Sequence, residues 1–400
     1  MTDRAAATEI DYDPASYAVQ DDPFPIYTRM QDEAPLYRNE RHGFWALTRF
    51  ADVLAGLTDH RGLSSAKGTL IEAINSGEPP PDMMIFHDRP RHDHLRGLVQ
   101  KAFTPRRIAE LEPRIRELTV GWLDPLVDQG GGEIVEALAG RLPMAVIGAM
   151  LGAPEEDFTL LKDLSDRLMH RDEGNLDRPD DARAAGAELA GYYYELVQRR
   201  RAEPRDDMVS ALIAAEMEVD GDTRRLDDGE LLMFCMLLGV AGNETTSKLI
   251  ATGTKVLADF PDQRAKLVAD PSLWPNAVEE LLRFDPPSHY QGRVATRDLE
   301  FHGQKVAEGD MVLLVNAAAN RDPREFPEPA EFIVDRPIQR HLAFGWGIHT
   351  CLGASLARLE TRIALQELVD RFPDYNVDEA GVERLYSSNV RGLAKVPFRA

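Results

Sequence analysis

Apolar residues recur at helical spacing over 106–128, 137–151, 180–203, 227–259, 274–284 and 352–372, and each stretch is predicted to be a helix. Strand patterns are sparse: 44–47, 293–301 and 311–315 are short apolar runs flanked by glycine or charge. The expected fold class is therefore mainly α with a small β-rich subdomain. Three stretches read as irregular: 68–88 with Pro79, Pro80 and Pro81, the polar 171–181, and the proline-rich 322–344. Loops of this length usually carry function. No internal repeat or Gly/Ser linker divides the chain, so 1–400 is read as a single domain.

Helix 227–259 breaks its own pattern. From Leu231 to Val240 it is apolar all round, as in a helix running roughly 50 Å through the middle of a large domain. Gly239, Gly242, Asn243, Glu244, Thr245 and Thr246 then place two helix-weakening residues, an acid and two hydroxyls in that core helix. Local violations of this kind mark functional sites. Thr245 can bond the carbonyl four residues back, and the Glu244 carboxylate stands beside it, so the two could hold water and relay protons. A polar patch where the helix surfaces is the plainer reading.

The second irregular feature is FGWGIHTCLG, Phe344 to Gly353, which runs directly into the amphipathic ASLARLETRIALQELVDRF. Cys351, just before a helix start, meets unpaired N–H groups and the positive end of the helix dipole, which favour thiolate and make it a candidate metal ligand. Gly345, Gly347 and Gly353 would let the backbone bend and lie against a flat cofactor. A packed free cysteine in a turn is the other reading of these residues. Cys235, in the apolar part of the long helix, reads as a buried small hydrophobe, and two cysteines are too few for a disulfide framework.

Composition narrows the function. A chain of 400 residues, 43% hydrophobic, has ample core, and a net charge of −22 without a lysine-rich run repels a phosphate backbone, so no nucleic acid is expected. MTDRAAATEIDYDP has no apolar signal core and no stretch approaches a membrane span, so no membrane and a cytoplasmic location are expected. His87, His92 and His94 fit no usual zinc spacing. Glu280 and Arg283 in EELLRF share a helix face, as do His92 and Arg96; taken singly these are ordinary surface charges.

The fixed positions of FGWGIHTCLG, with AGNET (241–245), the ExxR spacing of EELLRF and the HxxxR spacing of His92 and Arg96, resemble the cytochrome P450 family. The resemblance extends from YDP and DPFPIY near the start to the terminal VPF. It implies a helical triangular prism with haem b (iron protoporphyrin IX) between the long helix and the helix after Cys351. Cys351 becomes the axial iron ligand, with Ala241, Phe344, Gly345 and Gly353 against the cofactor. His92, Arg96, Arg293 and His349 match propionate-binding positions, and Glu244 and Thr245 match the proton-delivering pair. Glu280 and Arg283 become a structural tie. Their third partner is expected to be Arg336, because PAEFIVDR has Glu331 where the family often has arginine.

The implied activity is that of a monooxygenase (oxidoreductase) inserting one atom of O2 into a lipophilic small molecule by hydroxylation or epoxidation. Electrons would come from ferredoxin and ferredoxin reductase, docking near Cys351 on Arg106, Arg107, Arg358 and Arg362, and the protein would be a monomer. A peroxide-driven peroxygenase and a non-turnover haem ligand-binding protein are the alternatives. The pocket is expected to draw on Leu70, Ile71, Ile74 and Met83 to Ile85, on Leu237 and Ala241, and on Pro287 to Tyr290.

Overall fold

The computed structural model describes residues 10–219 and 221–400. Its axis is the helix Asp228–Asp259. Asp227 caps it by accepting from the Glu230 N–H at 2.8 Å while Glu230 accepts from the Asp227 N–H at 3.1 Å, and Pro261 follows its C-cap, Phe260. The elements that position the site are helices α1 (Phe50–Thr58), α2 (Arg91–Val99), α3 (Leu142–Leu151), α4 (Phe158–Met169), α5 (Asp180–Ala202), α6 (the long helix), α7 (Trp274–Phe284) and α8 (Ala354–Arg371).

Helices α3, α5 and α8 all pack on α6. A Cβ at Gly239 would lie 2.0 Å from the Tyr193 hydroxyl of α5, and one at Gly242 would lie 3.0 Å from Ile147 of α3. Gly239 is therefore explained by a close helix crossing rather than by local chemistry. Predicted helix 106–128 is two helices, Pro105–Ala109 and Glu112–Gln129, because Pro113 cannot continue the first and suits the opening turn of the second. Predicted helix 137–151 begins as a π turn, Val135–Ala139, before α3 starts with Pro143 in its first turn. The 68–88 stretch is not wholly irregular: it holds the short helix Ile71–Asn75 and the 3-10 turn Met84–Phe86.

Strands β1 (Leu36–Asn39), β2 (Phe44–Leu47), β3 (Leu63–Ser64), β4 (Gln291–Ala295) and β5 (Met311–Leu314) form one sheet in the order β1-β2-β5-β4-β3. Pairing is antiparallel except between β2 and β5. Met311 and Leu313 face one hydrophobic cluster and Val312 and Leu314 another, so the sheet is covered on both sides. Predicted strand 293–301 breaks after Ala295, where exposed Arg297 and Asp298 pair with Asp59 and Lys305; Leu299–Phe301 belongs to a separate hairpin.

Candidate active site

The 344–353 loop closes on itself through the Cys351 N–H, which donates to the Phe344 carbonyl at 2.9 Å. Gly345 and Gly347 adopt φ of 65° and 76°, and a Cβ at Gly347 would stand 2.8 Å from the Leu57 carbonyl of α1, so only glycine fits there. Gly353, with φ −84° and ψ 7°, needs no such freedom, so bending falls to Gly345 and Gly347. A Cβ at Gly353 would meet no protein atom.

Cys351 is exposed, and it lines a cavity of about 290 Å³. Burial pushes the Cys351 thiol up, against the lowering pull of the Gly353 N–H, Arg96 and Arg358. The helix start was expected to favour thiolate; desolvation opposes it, and a cation bound at the sulfur would favour the thiolate.

One side of the cavity is cationic. His92 and Arg96 from α2, Arg293 from β4 and His349 from the loop all line it, with the two imidazoles 4.4 Å apart. Arg96 donates to the Thr350 carbonyl at 2.7 Å, Arg293 to the Gly292 carbonyl at 2.7 Å, and His349 Nε2 lies 3.1 Å from Ser65 Oγ. Among the described residues neither arginine has a carboxylate at ion-pair distance. Burial pushes Arg293 down to about 10 and lowers His92 and His349 as well. His92 Nε2 is buried without a partner. Two carboxylates entering here would supply the missing anions. The donor set thus fits the propionates of the implied haem, and Cys351 in the same cavity would hold its iron.

Ala241 and Thr245 of α6 line the same cavity, and Thr245 Oγ1 donates to the Ala241 carbonyl at 3.0 Å. Glu244 does not line it. Adjacent helical residues point about 100° apart, and Glu244 turns toward α4. There its Oε2 lies 3.7 Å from Lys248 Nζ, which is 3.4 Å from Asp166 Oδ1; Lys162 pairs with the other Asp166 oxygen. Burial raises Glu244 to about 7, with Lys248 opposing and Asp166 reinforcing the rise. A water-relaying pair sharing one space was expected; instead Glu244 heads a charged chain that reaches partly exposed Asp166. Lys248 and Asp166 were not foreseen. The signal was present: Lys248 is a lysine four residues past Glu244 in an otherwise core helix.

Glu280 and Arg283 are fully buried, their bidentate pair closing at 2.7 and 2.8 Å. Arg336 Nε adds a third contact to Glu280 at 3.0 Å. The spare Arg283 donors reach the carbonyls of Asn320, Pro329 and Glu331 at 3.0, 2.9 and 3.0 Å. Exposed Glu331 thus contributes its backbone and not its side chain. These bonds tie α7 to the 320–336 segment that leads into the cysteine loop.

The remaining walls are mostly apolar: Met84, Ile85, Ile147, Leu237, Leu238 and Pro287, with Thr69, Ser288 and Gln291 as polar points. Leu70, Ile71, Ile74, Met83, His289 and Tyr290 do not line the cavity, contrary to expectation. Ile71 and Tyr290 pack with Tyr12 and Tyr27 in a separate cluster, and His289 Nδ1 lies 3.1 Å from Tyr27 Oη. Ile147 was missed because α3 is apolar around most of its circumference, so periodicity gives no direction.

Comparison with known proteins gives concordant results. The family model for cytochrome P450 matches residues 176–374. Cytochrome P450 123 of Mycobacterium tuberculosis is 43% identical over 401 aligned positions, covering 100% of this chain and 99% of that protein. Vitamin D(3) 25-hydroxylase of Pseudonocardia autotrophica is 40% identical, covering 94% of this chain and 93% of that one. Among solved structures, CYP109E1 of Bacillus megaterium in complex with corticosterone superposes with a TM-score of 0.83 at 32% identity, covering 96% of this chain and 99% of that one.

Proposed function

This chain belongs to the cytochrome P450 family and is a monooxygenase, and we propose that it places one oxygen atom from O2 into a lipophilic small molecule, by hydroxylation or epoxidation. The observation that carries this is one cavity holding Cys351, two arginines with no carboxylate partner among the described residues, two imidazoles of which His92 has an unpartnered buried Nε2, and the Thr245 hydroxyl. The group that fits is haem b: Cys351 would hold its iron as thiolate, His92, Arg96, Arg293 and His349 would meet its propionates, and Phe344, Gly345, Gly353 and Ala241 would pack against it. When bound, the haem would supply the redox chemistry in which O2, two electrons and two protons give one transferred oxygen atom and one water.

The chain's own residues handle orientation and protons. Thr245 presents its hydroxyl to the cavity while anchored on Ala241. Glu244, next to Thr245 but outside the cavity lining, is raised to about 7 and holds a proton on the acid side of that value, and the Lys248 and Asp166 pair links it to the surface. Apolar walls exclude water and select lipophilic substrates. The named activity of the vitamin D relative and the corticosterone complex favour a steroid-like molecule. The chain works as one domain over 1–400 and as a monomer in the cytoplasm, with electrons from ferredoxin and its reductase. Among the described residues no helix is long and apolar enough to cross a membrane.

The test is to load the protein with haem, confirm the carbon monoxide spectrum, and screen vitamin D3 and corticosterone with labelled O2. Label in the product with a ferredoxin system supports the reading. Product with hydrogen peroxide alone would indicate a peroxygenase, and binding without product a ligand-binding role.

Two variants probe the proton path. Thr245→Ala is expected to lower product per electron consumed by about tenfold or more, while electron uptake continues. Unchanged coupling would remove Thr245 from that role. Glu244 is protonated below about 7 and loses the proton above it, so coupled turnover should be full on the acid side and decline as pH rises through that value. Glu244→Gln should abolish this limb; a limb that persists belongs to another group.

A further inference from the structure

Polar groups in a largely apolar wall are unfavourable unless something bonds them. The cavity that Cys351 lines has such groups gathered in one patch. Thr69, Ser288, Gln291 and Asn316 all line it, and the backbone holds them close together. The Gly292 N–H donates to the Thr69 carbonyl at 2.8 Å, Gln291 sits across from Leu314 where β4 pairs with β5, and the Ala317 N–H donates to the His289 carbonyl at 3.2 Å. The wall that α6 supplies is hydrocarbon at Leu237, Leu238 and Ala241.

Hydrogen bonding within the patch is incomplete. Gln291 Nε2 donates to Ser288 Oγ at 2.9 Å, which leaves the Gln291 Oε1 acceptor and the Ser288 O–H donor without a protein partner among the described residues. Asn316 is 1% exposed, and its Oδ1 is buried without a partner. Among the described residues none of these three side chains bonds to the fold outside the patch, so their polarity does not hold the chain together.

A bound haem would leave this demand unmet, because its propionates carry acceptors only and give nothing to Gln291 Oε1. A ketone or ether oxygen can accept from Ser288 but strands the Gln291 oxygen in the same way. A hydroxyl satisfies both: its oxygen accepts from Ser288 and its proton goes to Gln291.

We propose that Ser288 and Gln291, with Asn316 beside them, seat a hydroxyl group of the substrate, which makes the substrate class a lipophilic alcohol. The inference rests on the monooxygenase reading above and names the kind of molecule its cavity selects. The seated hydroxyl is the anchor and not the reacting position. Held at this patch, the alcohol presents C–H bonds elsewhere on its skeleton, and insertion of one oxygen atom into one of them gives a diol. Ser288 and Gln291 determine specificity, because a molecule without the hydroxyl leaves a polar group of the wall unpaired.

The test uses the full-length, haem-loaded protein and two matched pairs of probes. Testosterone and androstenedione differ in a hydroxyl against a ketone at the same ring carbon, and vitamin D3 is paired with the methyl ether of its hydroxyl. Kd is read from the shift of the haem absorption band on titration. Each alcohol should bind about tenfold or more tightly than its partner. Gln291→Leu should bring both ratios near one by weakening the alcohols alone, since the ketone and the ether do not use that acceptor. Asn316→Leu should narrow the ratios by less. Carbon monoxide binding does not call on the patch and should be unchanged in both variants.

Affinities within about twofold in both pairs, as expected if water alone fills the patch, would overturn the proposal. So would tighter binding of the ketone and the ether, or no binding of any probe by a protein that gives the red-shifted carbon monoxide band. An equal loss of alcohol and ketone affinity in Gln291→Leu would also overturn it, by assigning that residue to the shape of the cavity. The carbon monoxide band and labelled oxygen in a product report the monooxygenase reading separately, so its failure and the failure of the alcohol class are told apart.

Discussion

Cys351→Ala is expected to remove the strongly red-shifted carbon monoxide band of the dithionite-reduced protein and to lower ferredoxin-supported product formation by at least about a thousandfold, equivalent to more than about 4 kcal/mol in the barrier. The size follows from what the sulfur alone can supply. Cys351 lines the cavity, and its other wall residues offer arginine, imidazole, hydroxyl and hydrocarbon. His92 and His349 lie on the same side as the arginines and are the only imidazoles lining it, so any substitute ligation would give an unshifted band. A variant retaining the red-shifted band would show that another group holds the iron, and the proposed function would fall with it. The fold should survive, because among the described residues Cys351 makes no side-chain bond to a distant element and Ala fills a similar position in the turn.

The second large effect belongs to a residue far from the chemistry. Glu280→Ala is expected to destabilise the protein by about 3–5 kcal/mol, because it leaves two buried guanidinium groups without their counterion. Arg283 is fully buried and Arg336 nearly so, and both bond to the same carboxylate. The Ile333 N–H, which donates to Glu280 at 2.9 Å, is stranded as well. The loss should appear as a lower unfolding midpoint and a poor yield of haem-loaded protein, since the 320–336 segment fixes the approach to the cysteine loop. Glu280→Asp should recover part of it. A Glu280→Ala protein that unfolds like the parent would show that the network is dispensable to stability.

The contrast with the same motif read in sequence is instructive. Glu280 and Arg283 three apart on a helix predict only a weak surface pair. Burial, which spacing cannot report, turns the pair into a hub with bonds to Asn320, Pro329 and Glu331. Arg336 could be named as the third partner only from the family resemblance, because it lies 53 residues beyond Arg283 and its Nε bond to Glu280 depends on how the intervening chain turns back.

The elements were largely legible. Helices 180–203, 227–259, 274–284 and 352–372 appear within a few residues of their expected ends, because hydrophobic period and proline positions are local properties of the chain. The errors are local too: the helix divided at Pro113 and the strand broken at Arg297 lie where proline geometry or exposed charge overrides a continuing apolar pattern.

What the sequence by itself determined is therefore which residues form each element, and, through FGWGIHTCLG and AGNET, which chemistry the chain was built for. Tertiary structure alone decided which way side chains face and which distant groups meet. It turned Glu244 from the cavity toward Lys248 and Asp166, and withdrew His289 and Tyr290 into a separate core. Among the described residues it left Arg96 and Arg293 without carboxylate partners in the cavity that Cys351 lines. The physical reason is that periodicity is set by covalent geometry over a few residues. Desolvation, ion pairing and cavity shape depend on contacts across hundreds of residues, and those exist only once the helices have packed.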